Sequence, residues 1–155
     1  MALATDKIIE ELSELIRYDY DAIGAYNSAI DDIKQLAARE PLKEFRGDHE
    51  RHVLELSAIV RGLGGNPPEK PDFKGVLRKT MTKVAGLGGT ELTLKAMKSN
   101  EQVLNKTYAH HLSLDFPDDV KQVIRGNYGD EQRHLAWVEQ ALKTRLWESG
   151  VGAHL

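Results

Sequence analysis

The chain has 155 residues, of which 41% are hydrophobic and 29% charged, so it is long enough for one domain with a buried core and too apolar for a disordered chain. A formal net charge of -3 and the lack of a basic stripe argue against a nucleic-acid partner. Because there is no cysteine, disulfides, thiolate nucleophiles and iron–sulfur clusters are excluded, and a metal ion would need histidine and carboxylate ligands. No apolar run reaches the ~20 residues that span a bilayer, and the N-terminus lacks a signal-peptide core, so we expect a cytoplasmic protein without a membrane partner.

The first part of the sequence predicts a hairpin of two helices over residues 5–62. From Asp6 to about Ile33, apolar residues recur at steps of three and four, which is typical of one face of an α-helix, and Thr5 or Asp6 is the natural N-cap. The same spacing marks a second helix, which ends at Gly62.

A long connection separates this hairpin from the second one. The glycines and prolines of the segment GLGGNPPEKP at 62–71 end the helical pattern. We predict a crossover over 63–89 that contains a short helix at 73–85. Two further helices follow over 90–149, separated by the turn DFPDD, and the last helix is predicted to end at Ser149. The sequence therefore predicts a single all-α domain over the whole chain, a four-helix bundle of two antiparallel hairpins joined by a long crossover.

The two hairpins are an internal repeat. When the sequence is aligned with itself without gaps, Asp19 falls on Glu101, Tyr26 falls on Tyr108, and the segment GDHERH falls on GDEQRH. A tyrosine, a Gly-Asp pair, an arginine and a histidine are unlikely to match in one register by chance. Two copies of one helical hairpin are the economical explanation.

Six acidic and histidine side chains interrupt the apolar faces of these helices. Asp19 and Glu101 each occupy the middle of an apolar stripe. On the second and fourth helices, two such residues lie three positions apart, so both project from one face. A buried carboxylate is costly unless it is paired or coordinates a metal. The sequence therefore predicts an inward-facing cation site made by Asp19, His49, His52, Glu101, Glu131 and His134.

Glu101 together with Glu131-x-x-His134 resembles one half of the di-iron carboxylate site of ferritin-like proteins such as bacterioferritins and rubrerythrins. The resemblance covers both hairpins and the crossover, and it is strongest to small bacterial ferritin-like proteins, some of them associated with stress. It implies a ferritin-like bundle with two iron ions, or manganese, as cofactor, and oxidation of the metal by oxygen or peroxide. It also implies that Tyr26 and Tyr108 are the tyrosines that hydrogen-bond the cluster in that family.

Two residues depart from the family pattern. His49 stands where the family has a bridging glutamate, and Asp19 replaces a longer glutamate, so that only Glu131 is placed to bridge two ions. We therefore expect up to two ions with unequal affinities, and Glu131→Ala should be the most damaging change. Asp48 and Glu55 are alternatives for the missing carboxylate, although Asp48→Ala is expected to change binding little.

Pro41 and the internal repeat disagree about where the second helix begins. Pro41 is typical of a first helical residue and would place the turn at 38–41. The repeat aligns Lys34-Gln35 with the turn residues of the second hairpin, which places the first turn near 34–36. We follow the repeat and predict that Pro41 lies in an irregular or kinked first part of the helix.

Two other motifs are weaker candidates for a functional site. His110 and His111 lie ~15 Å along the third helix from Glu101, and we expect them at the surface or at the end of the bundle. The glycines of the 86–89 segment resemble a phosphate loop only superficially, because no strand precedes them and no G-K-[ST] follows.

Two further functions compete with an oxidising metal site. One is a non-enzymatic helical stress or interaction protein that kept the fold and lost the cluster, in which Glu101, Glu131 and His134 form a hydrogen-bonded remnant. The other is metal sequestration without turnover. Metal ions and a small oxidant are the expected partners, and the pairing of such bundles through helix faces favours a homodimer.

Overall fold

A computed structural model describes residues 2–69 and 89–148. These residues form four long helices and one short 3-10 helix, with no strand in either range, which confirms the prediction of an all-α four-helix bundle. The short helix predicted at 73–85 lies outside the described residues. The long helices are α1 (Thr5–Asp32), α2 (Leu36–Gly62), α3 (Gly89–Leu112) and α4 (Asp118–Lys143), and the 3-10 helix is Leu146–Glu148.

The start of α1 has no side-chain cap, and the segment before it contacts another part of the chain. Ala4 occupies the N-cap position with an extended backbone, and no side chain caps the helix, so the expectation of Thr5 or Asp6 as the cap is wrong. The N–H of Leu3 donates a hydrogen bond to the carbonyl of Asp115, with 3.0 Å between the two atoms. This bond joins the segment before α1 to the turn between α3 and α4.

The turn between α1 and α2 lies at residues 33–35, as the internal repeat predicts. Pro41 lies inside α2, which continues unbroken, so the expected irregular segment is not found. A proline at this position removes one hydrogen bond, to the carbonyl of Ala37. Ala38 and Leu42, on either side of it, are both fully buried.

The order of the helices around the bundle is α1, α2, α4, α3, because α1 packs against α2 and α3, and α4 packs against the same two helices. Gly65 lies beside the start of α1, where a Cβ atom on it would come within 2.9 Å of Ile9 Cγ2. At the other end, Thr90 Oγ1 donates a hydrogen bond to Gln35 Oε1 over 2.6 Å. The chain therefore leaves the first hairpin at one end of the bundle and enters the second at the opposite end, so that α3 runs antiparallel to α1.

The end of α4 differs from the sequence-based expectation. The helix ends at Lys143, six residues before the predicted Ser149. Arg145 adopts a left-handed backbone with φ 51°, which a continuous α-helix does not allow. The carbonyl of Gln140 accepts hydrogen bonds from both the backbone N–H and the hydroxyl of Thr144, each over 2.9 Å.

Among the described residues, the interior of the bundle has two large apolar cores, with polar residues and the small apolar pair of Ala22 and Leu104 outside them. One core lies at the α1–α2 turn and contains Ile30, Leu42 and Met97. The other lies toward the opposite end and contains Leu12 and Leu56. Burial of such side chains is the main term that stabilises the bundle. The polar cluster between the cores is closed off from water at both ends.

Candidate metal centre

The six predicted ligand residues meet in the middle of the bundle, between the two apolar cores. All six are 0% exposed. The α1–α2 hairpin supplies three of them, and the α3–α4 hairpin supplies the other three. We call this set the core cluster: Asp19 on α1, His49 and His52 on α2, Glu101 on α3, and Glu131 and His134 on α4.

The core cluster consists of two overlapping groups of four residues. In each group every member offers one ligand atom, and these atoms lie within 4.8 Å of one another. The comparison with the ferritin-like pattern predicts Glu131 alone as the shared residue, whereas the structure places both His49 and Glu131 in both groups. The Asp19 group is Asp19, His49, His52 and Glu131, and the Glu101 group is His49, Glu101, Glu131 and His134.

Asp19 is satisfied by hydrogen bonds on both carboxylate oxygens. Oδ1 lies 2.7 Å from His49 Nδ1 and 3.1 Å from His52 Nδ1, and Oδ2 accepts a hydrogen bond from the Tyr108 hydroxyl over 2.5 Å. Burial by itself raises the pKa of Asp19, but the two histidines outweigh this effect and lower it below its usual value. Asp19 is therefore a carboxylate, and His49 donates to it through Nδ1–H.

The Glu101 group is much less well satisfied. The Tyr26 hydroxyl donates a hydrogen bond to Glu101 Oε1, whereas His49 Nε2 and His134 Nδ1 each lie 3.7 Å from that oxygen, too far for a hydrogen bond. Burial raises the pKa of Glu131, and the neighbouring Glu101 carboxylate adds to the rise although the nearby histidines oppose it. Every member of the group has at least one buried atom without a hydrogen bond. These atoms are His49 Nε2, Glu101 Oε2, Glu131 Oε1 and Oε2, and His134 Nδ1.

Two aspartates hold the outer nitrogens of two of the histidines. Asp130 Oδ2 lies 2.9 Å from His52 Nε2, and Asp48 Oδ2 lies 2.8 Å from His134 Nε2. The pKa of both aspartates falls below its usual value, because hydrogen bonds from histidine and arginine outweigh burial. Both aspartates are therefore carboxylates, which only accept hydrogen bonds. Each histidine donates a hydrogen bond to its aspartate through Nε2–H. In the neutral ring, Nδ1 then presents its lone pair to the core cluster, as in metal-binding histidines that are oriented by a carboxylate.

Arginines complete these outer contacts at the surface of the bundle. Arg51 donates a hydrogen bond to Asp130, and Arg133 donates one to Asp48 with 2.6 Å between Nη2 and Oδ2. The aspartate side chains are only 19% and 17% exposed, respectively, whereas the arginines are about half exposed. The two aspartates therefore lie between the core cluster and the surface arginines, on the side formed by α2 and α4.

The metal-free cluster balances its charge with protons. Burial lowers the pKa of His52 and His134, but contacts with Asp19, Asp48 and the two glutamates outweigh it and raise these pKa values to about 9 and about 10. The pKa of His49 is raised well above its usual value, because Glu131, Asp19 and Glu101 together outweigh burial. Histidine protons therefore compensate the carboxylates when no metal is bound.

Neither Asp48 nor Glu55 replaces the missing bridging carboxylate. Asp48 lies on the outer side of His134, and the Glu55 side chain is 41% exposed and pairs with Arg51 over 3.2 Å. The role of Asp48 and Asp130 in orienting the histidines was missed, although the repeated pattern D-x-x-R-H was its signal.

Tyr26 and Tyr108 both contact the core cluster, as the resemblance implies. Each is fully buried, and each donates to the acid of the other hairpin: Tyr26 to Glu101, and Tyr108 to Asp19. Because Tyr26 comes after Asp19 in α1 while Tyr108 comes after Glu101 in α3, this crossed pairing requires the two helices to be antiparallel. One hydroxyl from each hairpin therefore positions a carboxylate of the other.

Residues 7–113 match the family described as "Domain of unknown function (DUF2383)". The matched segment contains α1 from its third residue, all of α2 and α3, and four of the six core residues, and it ends before Glu131 and His134 of α4. No curated protein and no solved structure matches the chain. Within residues 2–69 and 89–148, none of the helices has the length and apolarity of a membrane-spanning segment. The chain belongs to the DUF2383 domain family, and its helical bundle encloses buried histidine and carboxylate groups that could hold a metal ion.

Proposed function

We propose that the protein binds two divalent ions of iron or manganese in the core cluster, and that the Glu101 group holds the first ion more tightly. The supporting observation is the set of buried atoms without hydrogen bonds, which includes at least one atom from each member of that group. Leaving such atoms unpaired in an apolar core costs about 1–3 kcal/mol each, and more for charged groups. A bound cation would compensate all of them at once.

His49 explains why the two ions bind with unequal affinity. Its Nδ1–H donates to Asp19 over 2.7 Å, so a neutral ring has one free lone pair, on Nε2. Nε2 faces Glu101 over 3.7 Å and belongs with the Glu101 group. The first ion then has four protein ligands, whereas the second has Asp19, His52 and Glu131.

The ligand chemistry agrees with the ferritin-like resemblance. Imidazole and carboxylate ligands suit iron and manganese, and such an ion supplies electron transfer to oxygen or peroxide when it is bound. The protein's own side chains exclude bulk water from the cluster and hold the ligands in place. Tyr26 and Tyr108 position carboxylates, and Asp48 and Asp130 orient histidines. On this proposal the protein oxidises metal with a small oxidant in stress defence.

A metal-free helical stress or interaction protein is the second candidate. It is favoured by the balance of three carboxylates against three histidines whose pKa values are raised by those carboxylates. It leaves Glu131 unexplained, because both of its buried oxygens lack a hydrogen bond.

Metal analysis and anaerobic titration separate these functions. We expect metal in protein purified without chelator, and saturable Fe(II) or Mn(II) binding after stripping. His134→Ala should remove the tight phase, His52→Ala should weaken the second phase only, and His110→Ala, on the exposed side of α3, should change neither. Wild-type protein that binds no metal in the core would support the metal-free candidate.

A second step distinguishes oxidation from sequestration. The Fe(II)-loaded protein is exposed to oxygen or to peroxide, and formation of Fe(III) is followed by absorbance. Oxidation faster than that of free Fe(II), and lost in His134→Ala, supports turnover. Tight binding without faster oxidation supports sequestration.

A further inference from the structure

A second group of potential ligands lies outside the core cluster. Glu11 and Glu14 on α1 and His111 near the end of α3 offer ligand atoms that lie within 4.8 Å of one another. We call these three residues the Glu11 cluster. His111 is ten residues beyond Glu101, which is ~15 Å along the helix, so the two clusters share no ligand.

His111 is the unusual member of the Glu11 cluster, because it is a polar side chain that is only 1% exposed. Its Nδ1 lies 2.7 Å from the carbonyl oxygen of Thr107, and a carbonyl only accepts, so Nδ1 carries the proton. In the neutral ring Nε2 therefore presents a lone pair. This nitrogen is buried without a hydrogen bond, and it lies 3.1 Å from Glu11 Oε2.

Lys7 compensates part of the negative charge around this contact. Lys7 Nζ lies 3.0 Å from Glu11 Oε1, on the other oxygen of that carboxylate, and 3.2 Å from Glu10. Glu14 lies three residues after Glu11 on the same helix face, and like charges at this spacing repel each other. Two carboxylate oxygens and one histidine nitrogen therefore lie within 4.8 Å of one another.

We propose that the Glu11 cluster binds one divalent transition-metal ion, independently of the core cluster. One imidazole nitrogen and two carboxylate oxygens are a ligand set that such ions accept, and three protein ligands leave further positions for water. Glu14 is exposed and Glu11 is half-buried, so the ion exchanges with solvent, in contrast to an ion in the closed core. A proton on His111 Nε2, paired with Glu11, is the competing arrangement.

Calorimetric titration with Zn²⁺ tests this site. We expect Glu14→Gln and His111→Gln each to lower the number of zinc ions bound per chain by one, in wild-type protein and in Glu131→Ala alike. The matched controls are Glu10→Gln, an exposed acid on the same helix that also contacts Lys7, and His110→Gln, the exposed histidine next to His111. Both control variants should bind the same number of zinc ions per chain as wild type.

The outcomes separate this proposal from that of the core site. Unchanged zinc binding in Glu14→Gln overturns it, because Glu14 is exposed and its substitution does not endanger folding. The proposal is also overturned if Glu10→Gln or His110→Gln lowers the number of zinc ions bound per chain as much as Glu14→Gln does. If the core binds no metal, wild type still binds one zinc ion, which Glu14→Gln removes. If the Glu11 cluster binds none, the effects of His134→Ala on the core persist.

Discussion

The carboxylate of Asp48 on α2 holds the outer nitrogen of His134 on α4, with 2.8 Å between Oδ2 and Nε2. The same contact occurs in reverse between Asp130 on α4 and His52 on α2, over 2.9 Å. Within each repeat the aspartate and the histidine lie four residues apart on one helix, yet each aspartate contacts the histidine of the other helix. Each hairpin thus positions a histidine of the other hairpin.

This exchange changes the expected effect of Asp48→Ala. The sequence alone predicts little effect, whereas the contact with His134 predicts metal binding that is weaker by about 10–100-fold, as for the loss of other carboxylates that orient metal-binding histidines. Anaerobic titration of Fe(II) or Mn(II) measures the affinity, and Asp31→Ala, an exposed acid of α1, is the control. An unchanged affinity would show that His134 needs no orienting partner.

Glu131→Ala should abolish binding of the second ion and weaken binding of the first, because Glu131 belongs to both groups. The metal-free variant should melt no lower than wild type, since both oxygens removed are buried without a hydrogen bond. Metal content and thermal midpoints with and without Fe(II) test this, with the exposed Glu139→Ala on the same helix as control. A wild type without metal, combined with a lower midpoint for Glu131→Ala, would mean that the residue is structural.

His49→Glu should convert two unequal binding phases into two similar ones. A neutral imidazole gives one lone pair to one ion, whereas a carboxylate has two oxygens and can serve both groups. The variant adds a fourth carboxylate to the cluster, so its metal-free form should be less stable than wild type. A calorimetric titration with Mn(II) measures both affinities. Two equally tight phases in wild-type protein would contradict this role of His49.

Tyr26→Phe should destabilise the metal-free protein by about 2 kcal/mol, because it leaves Glu101 Oε1 buried without its donor. Tyr108→Phe should have a smaller effect, since Asp19 keeps its contacts with His49 and His52. Urea unfolding in chelator gives the free energies, with the half-buried Tyr128→Phe as control. Equal losses for all three variants would show that the hydroxyls do not act through the cluster.

The pH dependence of stability should differ between the metal-free and metal-loaded proteins. In chelator, His52 and His134 have pKa values of about 9 and about 10, against an ordinary histidine value of 6.5. Their contribution to stability is therefore complete below pH ~6.5 and is lost as the pH rises toward the folded-state values. A metal ion displaces these protons, so its binding strengthens over the same range. The difference between the thermal midpoint with Mn(II) and the midpoint with chelator should widen from about pH 6.5 to about pH 8.5. A difference that stays constant over this pH range would contradict the prediction.

The sequence by itself determined the four helices and the members of the core cluster. Apolar residues at steps of three and four are a local property that specifies a helix and its inward face. The internal repeat predicted the first turn near residues 34–36, within one residue of its observed position at 33–35 and against the local signal of Pro41. Because six acidic and histidine residues lie on inward faces at matching depths, their convergence followed from the pattern alone.

The tertiary structure decided how these residues pair. The pattern D-x-x-R-H does not reveal which histidine each aspartate contacts, because that depends on the antiparallel packing of α2 and α4. It likewise does not reveal that His49 turns one nitrogen toward Asp19 and the other toward Glu101. His111 and Glu11 are distant in sequence and meet only because α3 runs antiparallel beside α1. Helical periodicity specifies the face of a residue, whereas contacts between helices depend on the direction and depth at which the helices pack.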